Sequence, residues 1–287
     1  MYGDTSDLPE VKKKLDSVSP SFCMAKWQHS TIHLMNGTTH SCYLPPVHPI
    51  PLNEIAKNPG ALHNTSEKKQ QRKMMKNGQR PKGCQMCWAV EDLPGDRVSD
   101  RILRGSASFT TPYFDHLKNI SWDEDVYPSY LEVSFNSVCN FKCSYCSPHV
   151  STAWHQEIKR HGPYKLSKHT HQDTSSLKVM GWMPIEDEDM NPYVDAFWKW
   201  WPEAYKHIHV FRITGGEPLL SKNTFKTLDW VTEHPNDKLE LEVNTNMGIP
   251  KKVTDKFLTQ VEAIMASNTI KRFGVHTSCD NFGPRAE

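Results

Sequence analysis

The chain has 287 residues, with Lys+Arg 34 against Asp+Glu 33 and a net charge of +1. This balance lacks the basic excess of a protein that binds nucleic acid through its phosphates, so we expect no nucleic-acid partner. No window holds 18 consecutive apolar residues, and the first residues lack the apolar stretch of a signal peptide. We therefore expect no membrane span and a cytoplasmic location.

Eight cysteines are the first chemical signal, and they occur in groups. Four lie in the first third of the chain, three lie within eight residues of one another, and Cys279 stands alone. In a reducing compartment, clustered cysteines more often ligate metal or carry redox chemistry than form disulfides. The two groups are therefore candidate metal sites, and Cys279 is predicted to be a buried thiol at a strand end.

The first 95 or so residues are rich in Pro, His and Lys and show little periodicity. One helix is predicted there, from Ser66 to Asn77, because Gly78 follows it as a helix stop. Its lysines and Arg72 form a basic face. That face predicts either a solvated helix surface or a docking site for an acidic partner.

From Tyr130 the pattern changes to strands that alternate with helices. Alternation of apolar and polar residues predicts four strands, over 130–138, 209–214, 239–244 and 273–277. Helices are predicted from Asn191, with Pro192 in the first turn, from an Asn223 cap to 234, and along the apolar positions of 253–265. Strand–helix–strand repeats of this length predict parallel strands, as in part of a barrel-like α/β sheet.

The strongest motif is Cys139-Asn-Phe-Lys-Cys143-Ser-Tyr-Cys146, directly after the first of these strands. Three thiolates on one tight loop can hold three corners of a cubane iron–sulfur cluster and leave the fourth iron open. A structural zinc site needs four ligands, so the odd triplet fits zinc poorly. The carboxyl ends of parallel strands are also where α/β barrels place their chemistry.

With Tyr145 just before the last cysteine, this motif resembles the signature of the radical S-adenosylmethionine (SAM) enzymes. Further motifs follow each later strand: Gly215-Gly216-Glu217-Pro218 resembles the GGEP motif of that superfamily, Asn244-Thr245-Asn246 its threonine–asparagine turn, and Ser278 with Asp280 its SxD. The resemblance implies that Cys139, Cys143 and Cys146 hold a catalytic [4Fe–4S] cluster with an open iron site. It implies SAM contacts from these residues: Tyr145, Gly215, Gly216, Glu217, Pro218, Asn244, Ser278 and Asp280.

The activity implied by the resemblance is reductive cleavage of SAM to a 5′-deoxyadenosyl radical that abstracts hydrogen from a substrate. An electron donor such as flavodoxin or ferredoxin would reduce the cluster. The expected substrate is a peptide or protein. The alternatives are a small molecule or nucleotide-derived metabolite as substrate, or a non-catalytic iron–sulfur or zinc protein on the same scaffold.

The N-terminal cysteines Cys23, Cys42, Cys84 and Cys87 resemble the SPASM and twitch auxiliary-cluster domains of radical SAM enzymes. The resemblance implies a second [4Fe–4S] cluster, and zinc is the alternative because four cysteines with one CxxC pair are also a zinc pattern. We expect a small, irregular, Cys-rich auxiliary domain over 1–125 and an incomplete radical SAM core over 126–287. Because only four strands are predicted before Glu287, we expect a fragment of a longer protein or a barrel that another chain completes.

Overall fold

The computed structural model describes residues 7–164, 173–185 and 190–279. These residues form a mixed α/β fold with a mostly parallel seven-stranded sheet. The strands, in chain order, are β1 (His29–His33), β2 (Thr38–His40), β3 (His48–Pro49), β4 (Tyr130–Ser134), β5 (Val210–Thr214), β6 (Asn236–Thr245) and β7 (Ile270–Thr277). Their order across the sheet is β3-β2-β1-β4-β5-β6-β7.

Twelve α-helices lie within the described residues. They are α1 (Leu8–Asp16), α2 (Ala25–Gln28), α3 (Leu52–Lys57), α4 (Ser66–Lys76), α5 (Gln85–Glu91), α6 (Asp100–Gly105), α7 (Phe114–Asn119), α8 (Thr152–His161), α9 (Thr174–Val179), α10 (Pro192–Ala204), α11 (Lys222–Glu233) and α12 (Lys251–Ala266). No helix of the described residues is long and apolar enough to cross a membrane.

The C-terminal strands follow from the alternation of their side chains. Leu239, Leu241 and Val243 of β6 are fully buried, and so are Phe257 and Ile264 of α12. Strands β6 and β7 pair in parallel, and α12 connects them. A parallel pair needs such a crossover, which brings the carboxyl ends of both strands to one edge of the sheet.

The chain divides into two compact units. The first comprises the described residues of 1–32, 37–131 and 195–210, and the second those of 33–36, 132–194 and 211–287. In the first unit, one buried cluster comes from α1, α2, α7 and the segments beside them. Its members are Leu15, Phe22, Met24, Trp27, Phe114, Leu117 and Val126. The first unit therefore has an apolar core of its own.

Several local expectations are corrected by the structure. Helix α11 is capped by Ser221, which accepts a hydrogen bond from the backbone of Asn223, so Asn223 is not the cap. Cys279 is exposed, not buried. The basic helix α4 is not a solvated face throughout, because Lys68 and Arg72 are fully buried.

Candidate functional site

Side chains of helix α8 make hydrogen bonds to the backbone of the three-cysteine loop. The Thr152 hydroxyl donates to the carbonyl of Cys139 at 3.0 Å and accepts from its backbone amide at 3.1 Å. The indole of Trp154 donates to the carbonyl of Cys143 at 2.9 Å. These bonds fix the loop backbone through groups other than the thiols, so the thiols remain available as ligands.

The three thiols of this loop share one neighbourhood. Burial raises the pKa of Cys146, and the nearby thiols of Cys139 and Cys143 raise it further because like charges repel. The Cys139 sulfur accepts hydrogen bonds from the backbone amide of Phe141 at 3.5 Å and from the side-chain amide of Asn246 at 3.8 Å. Such N–H···S bonds are a means by which proteins tune thiolate-held clusters.

Each cysteine group lines a cavity. The cavity at the N-terminal cysteines has a volume of about 360 Å³. The cavity at the three-cysteine loop is larger, about 810 Å³, and is partly open to solvent. Its wall consists of Cys139, Phe141, Cys143, Tyr145, Cys146, Val150, Thr214, Gly215, Gly216, Asn244, Thr245, Asn246 and Ser278. These residues follow the carboxyl ends of β4, β5, β6 and β7 or lie in the last positions of those strands. The structure thus brings together most of the residues that the motifs singled out, and Asp280 lies outside the described residues.

Glu217 and Pro218 are buried and are not part of this wall. The Glu217 carboxylate accepts hydrogen bonds from the backbone of Leu219 at 3.0 Å, the hydroxyl of Thr245 at 2.6 Å and the backbone of Asn246 at 2.7 Å. Its oxygens therefore join the turn after β5 to the end of β6. In this arrangement Glu217 positions the wall without facing the cavity.

The double-glycine turn packs directly against the backbone of the cysteine loop. A Cβ atom on Gly216 would overlap the carbonyl oxygen of Val138 and come within 2.7 Å of the carbonyl carbon of Ser137. The backbone amide of Glu217 donates to the same Val138 oxygen at 2.6 Å. Only glycine fits this close approach, which explains the residue type at position 216.

The four N-terminal cysteines meet at the smaller cavity, in the first compact unit. Cys23, Cys84 and Cys87 are buried, and Cys42 is partly buried. Burial raises the pKa of Cys23 strongly, and the thiols of Cys42, Cys84 and Cys87 raise it further. Burial also raises the pKa of Cys42 to about 11. All four thiols are thus close enough to interact electrostatically.

Two arginines of α6 also line this smaller cavity. Arg101 donates to Glu91 at 2.6 Å and 2.9 Å and to Asp16 at 3.0 Å. Arg104 donates to Asp100 at 2.6 Å. Each guanidinium therefore already has a carboxylate partner.

Within the described ranges, no group of three or more His, Cys, Asp or Glu side chains is arranged around a single metal ion. The cysteines of each group nevertheless line one cavity.

No protein-family model matches this chain, and no curated protein or solved structure matches it.

Some of the site residues were missed by sequence reasoning. Thr152 and Trp154 support the cysteine loop, and the Ser151 side chain caps α8 by accepting from the Trp154 backbone at 3.3 Å. The Ser-Thr pair before an apolar position is a helix-start signal that could have located them. Thr214, the last residue of β5, also lies on the cavity wall and was not among the predicted site residues.

Proposed function

We propose that the chain is a radical SAM enzyme in which Cys139, Cys143 and Cys146 hold a [4Fe–4S] cluster and the cavity beside them takes SAM. When bound, the cluster supplies the electron that cleaves SAM to methionine and a 5′-deoxyadenosyl radical, which abstracts hydrogen from a substrate. The four strands β4 to β7 would then be part of a (β/α) barrel of the radical SAM type.

The observation that carries this proposal is the composition of the larger cavity wall. Of the described residues on that wall, the three cysteines are the only Cys, His, Asp or Glu side chains. A cluster held there would have three thiolate ligands and one iron without a side-chain ligand from the wall. An open metal position next to a cavity is what a catalytic metal requires.

The rest of the wall suits a zwitterionic, nucleoside-bearing cofactor. Asn244 and Ser278 present an amide nitrogen and a hydroxyl group that can donate to a carboxylate. Phe141 and Tyr145 are exposed aromatic rings at the same wall, and each offers a flat apolar face to a base. These groups can bind and orient a SAM molecule and exclude water from one side of it.

The N-terminal cavity fits a second thiolate-held group. Four thiols that are buried or partly buried and close together, with the Lys26 side chain on the same wall, are suited to an anionic metal–thiolate centre. In the proposed function this centre is an auxiliary [4Fe–4S] cluster held by Cys23, Cys42, Cys84 and Cys87, with zinc as the alternative. The proposed substrate is a peptide or protein, supported by the resemblance of this cysteine set to auxiliary-cluster domains.

The test is anaerobic reconstitution with iron and sulfide, followed by addition of dithionite and SAM and quantitation of 5′-deoxyadenosine. We expect product from the wild-type chain and only background from Cys143→Ala, because that variant loses one of three cluster ligands. Cys279→Ala is the matched control, since it removes an exposed thiol that is not on the cavity wall. Product formation that survives Cys143→Ala would contradict the proposal.

If 5′-deoxyadenosine forms, deuterium transfer separates the substrate classes. A deuterated peptide that labels 5′-deoxyadenosine supports a peptide substrate, whereas labelling only from small metabolites supports the alternative. A reconstituted chain that binds iron and sulfide but forms no 5′-deoxyadenosine supports a non-catalytic iron–sulfur protein.

A further inference from the structure

Two buried lysines lie near the four-thiol cavity, and neither has a carboxylate partner among the residues that the structure describes. Lys26 and Lys68 are 2% and 0% exposed. The Lys26 ammonium donates to the side-chain oxygen of Gln71 at 2.5 Å, and that of Lys68 lies 3.2 Å from the Ser30 hydroxyl and 3.1 Å from His63 Nδ1. All three partners are uncharged, because burial also lowers the pKa of His63 well below its ordinary value.

Leaving a buried ammonium group without a counter-charge is unfavourable, because the group has lost its hydration and gains no opposite charge in return. The carboxylates near the cavity do not supply that charge. Asp100 is paired with Arg104, and Glu91 is paired with Arg101. In the described part of the chain, no ion pair joins Lys26 to a carboxylate.

Of the two lysines, Lys26 reaches the thiol group itself. It is part of the cavity wall together with the four cysteines. A positive charge on that wall and negative charge at the thiols stabilise each other. Burial lowers the pKa of Lys68 well below its ordinary value, which favours the neutral amine, so Lys68 does not add a fixed charge.

We infer that Lys26 is the counter-charge of the group held by the four thiols and raises the reduction potential of that group. This inference rests on the proposed auxiliary [4Fe–4S] cluster. On reduction the cluster takes one electron from a one-electron donor, no bond breaks and no proton moves, so the thiolate-held centre gains one negative charge. A nearby fixed positive charge stabilises the more negative state, and cluster potentials depend on such charges.

Gln71 offers a mild way to cancel the charge of Lys26. It is only partly buried, and its side-chain amide also donates to Glu67 at 2.9 Å, so all variants are made in a Glu67→Gln background to avoid two facing carboxylates. In that background Gln71→Glu keeps the shape of the side chain and places a carboxylate on the Lys26 ammonium. The neighbouring Gln70 is exposed on the same helix, so Gln70→Glu adds the same charge facing solvent and is the matched control. Lys26→Met removes the cation itself.

The experiment uses the full chain with Cys139, Cys143 and Cys146 all replaced by Ala, so that the N-terminal site is observed alone. Iron, sulfide and zinc are quantified first, and the cluster is then titrated with dithionite while its EPR signal is recorded against potential. We expect Gln71→Glu and Lys26→Met to lower the ratio of reduced to oxidised cluster at least tenfold at a fixed potential. For a one-electron couple this is a shift of about 59 mV to more negative potential. Gln70→Glu is expected to leave the ratio within twofold of the parent.

The possible results separate this inference from the function it rests on. Zinc, or no metal, in the triple-alanine background would overturn both the auxiliary cluster and the inference. A cluster whose potential does not change in Gln71→Glu, or changes as much in Gln70→Glu, would overturn the inference alone. If Lys26→Met does not fold, the difference in reduction potential between Gln71→Glu and Gln70→Glu still tests the inference.

Discussion

The carboxylate of Glu217 accepts three hydrogen bonds, two of them from backbone amides, and has no exposed surface. The motif resemblance implies contact between this residue and the SAM amino group. In the structure its oxygens accept from Leu219, Thr245 and Asn246, and the contact with SAM stays a prediction. Asn246 in turn donates to the Cys139 sulfur. Glu217 therefore positions the three-cysteine loop through Asn246.

A substitution that keeps the shape of Glu217 tests this role. In Glu217→Gln an amide donor replaces the oxygen that accepts from the Asn246 backbone, so one buried donor loses its acceptor. We expect a loss of about 1–3 kcal/mol in the free energy of unfolding, measured by urea denaturation. Glu233→Gln, at an exposed position of α11, is expected to change stability by less than about 0.5 kcal/mol.

The contrasting result for Glu217→Gln would be unchanged stability together with weaker SAM binding. That combination would place the carboxylate on the cofactor rather than between the strand ends.

At the scale of elements, the site is held together by turns that touch one another at the carboxyl ends of the strands. Gly216, in the turn after β5, packs against the backbone of Val138, in the loop after β4. Gly248, in the turn after β6, contacts Asn140 of the same loop. The Asn140 side chain donates to the Gly248 carbonyl at 2.6 Å. The geometry of the three thiols therefore depends on two glycine contacts made far away in sequence.

The two glycines predict different sensitivities to alanine. A Cβ on Gly216 would collide with backbone atoms of the cysteine loop, which cannot rotate away, whereas a Cβ on Gly248 would meet the ring of Phe141, which is partly exposed. We expect Gly216→Ala to lower the free energy of unfolding by about 1–3 kcal/mol, as overpacking does.

Gly216→Ala should also lower the amount of iron and sulfide bound at the three-cysteine loop after reconstitution. This amount is measured in a variant that lacks the N-terminal thiols of Cys84 and Cys87.

Gly248→Ala is the matched comparison and should retain more of its iron than Gly216→Ala does. Equal retention in both variants, at the wild-type level, would show that the turn contacts do not control the cysteine loop.

The sequence patterns predicted β4 to β7 because their apolar and polar residues alternate, and α11 and α12 because their apolar residues fall on one helix face. They did not predict β1 and β2, whose segments His29–His33 and Thr38–His40 consist mostly of polar residues. These strands are buried through hydrogen bonds such as that between the Thr39 hydroxyl and the Thr31 carbonyl at 2.8 Å. Strands whose buried residues are polar show no hydrophobic periodicity in the sequence, so the pattern does not predict them.

Hydrophobic periodicity also fails to predict which cations of helix α4 are buried. Its spacing predicts the helix correctly, but periodicity treats Lys68 and Arg72 as solvated charges. In the structure Arg72 donates to the Lys26 carbonyl and to the side chain of Asn64, both at 2.9 Å. Which cations are buried depends on acceptors from distant segments, and local sequence does not contain that information.

At the scale of the whole molecule, each compact unit contains one of the two cysteine groups together with its cavity. The two groups differ in the feature that matters for chemistry. Four thiols in the first unit can saturate a cluster, whereas three thiols in the second leave one corner for an external ligand. The CxxxCxxC spacing was enough to predict the second group, and the cationic surroundings of the first emerged only from the fold.

The central claim of this account is that the three-thiol cluster has an iron atom to which SAM binds. The most direct measurement is the EPR spectrum of the anaerobically reconstituted, dithionite-reduced protein before and after addition of SAM. We predict a cluster signal that changes on SAM addition in the wild-type chain, and no SAM-dependent component in Cys143→Ala. A reduced cluster at Cys139, Cys143 and Cys146 whose spectrum is identical with and without SAM, or a loop that binds no iron, would contradict the account.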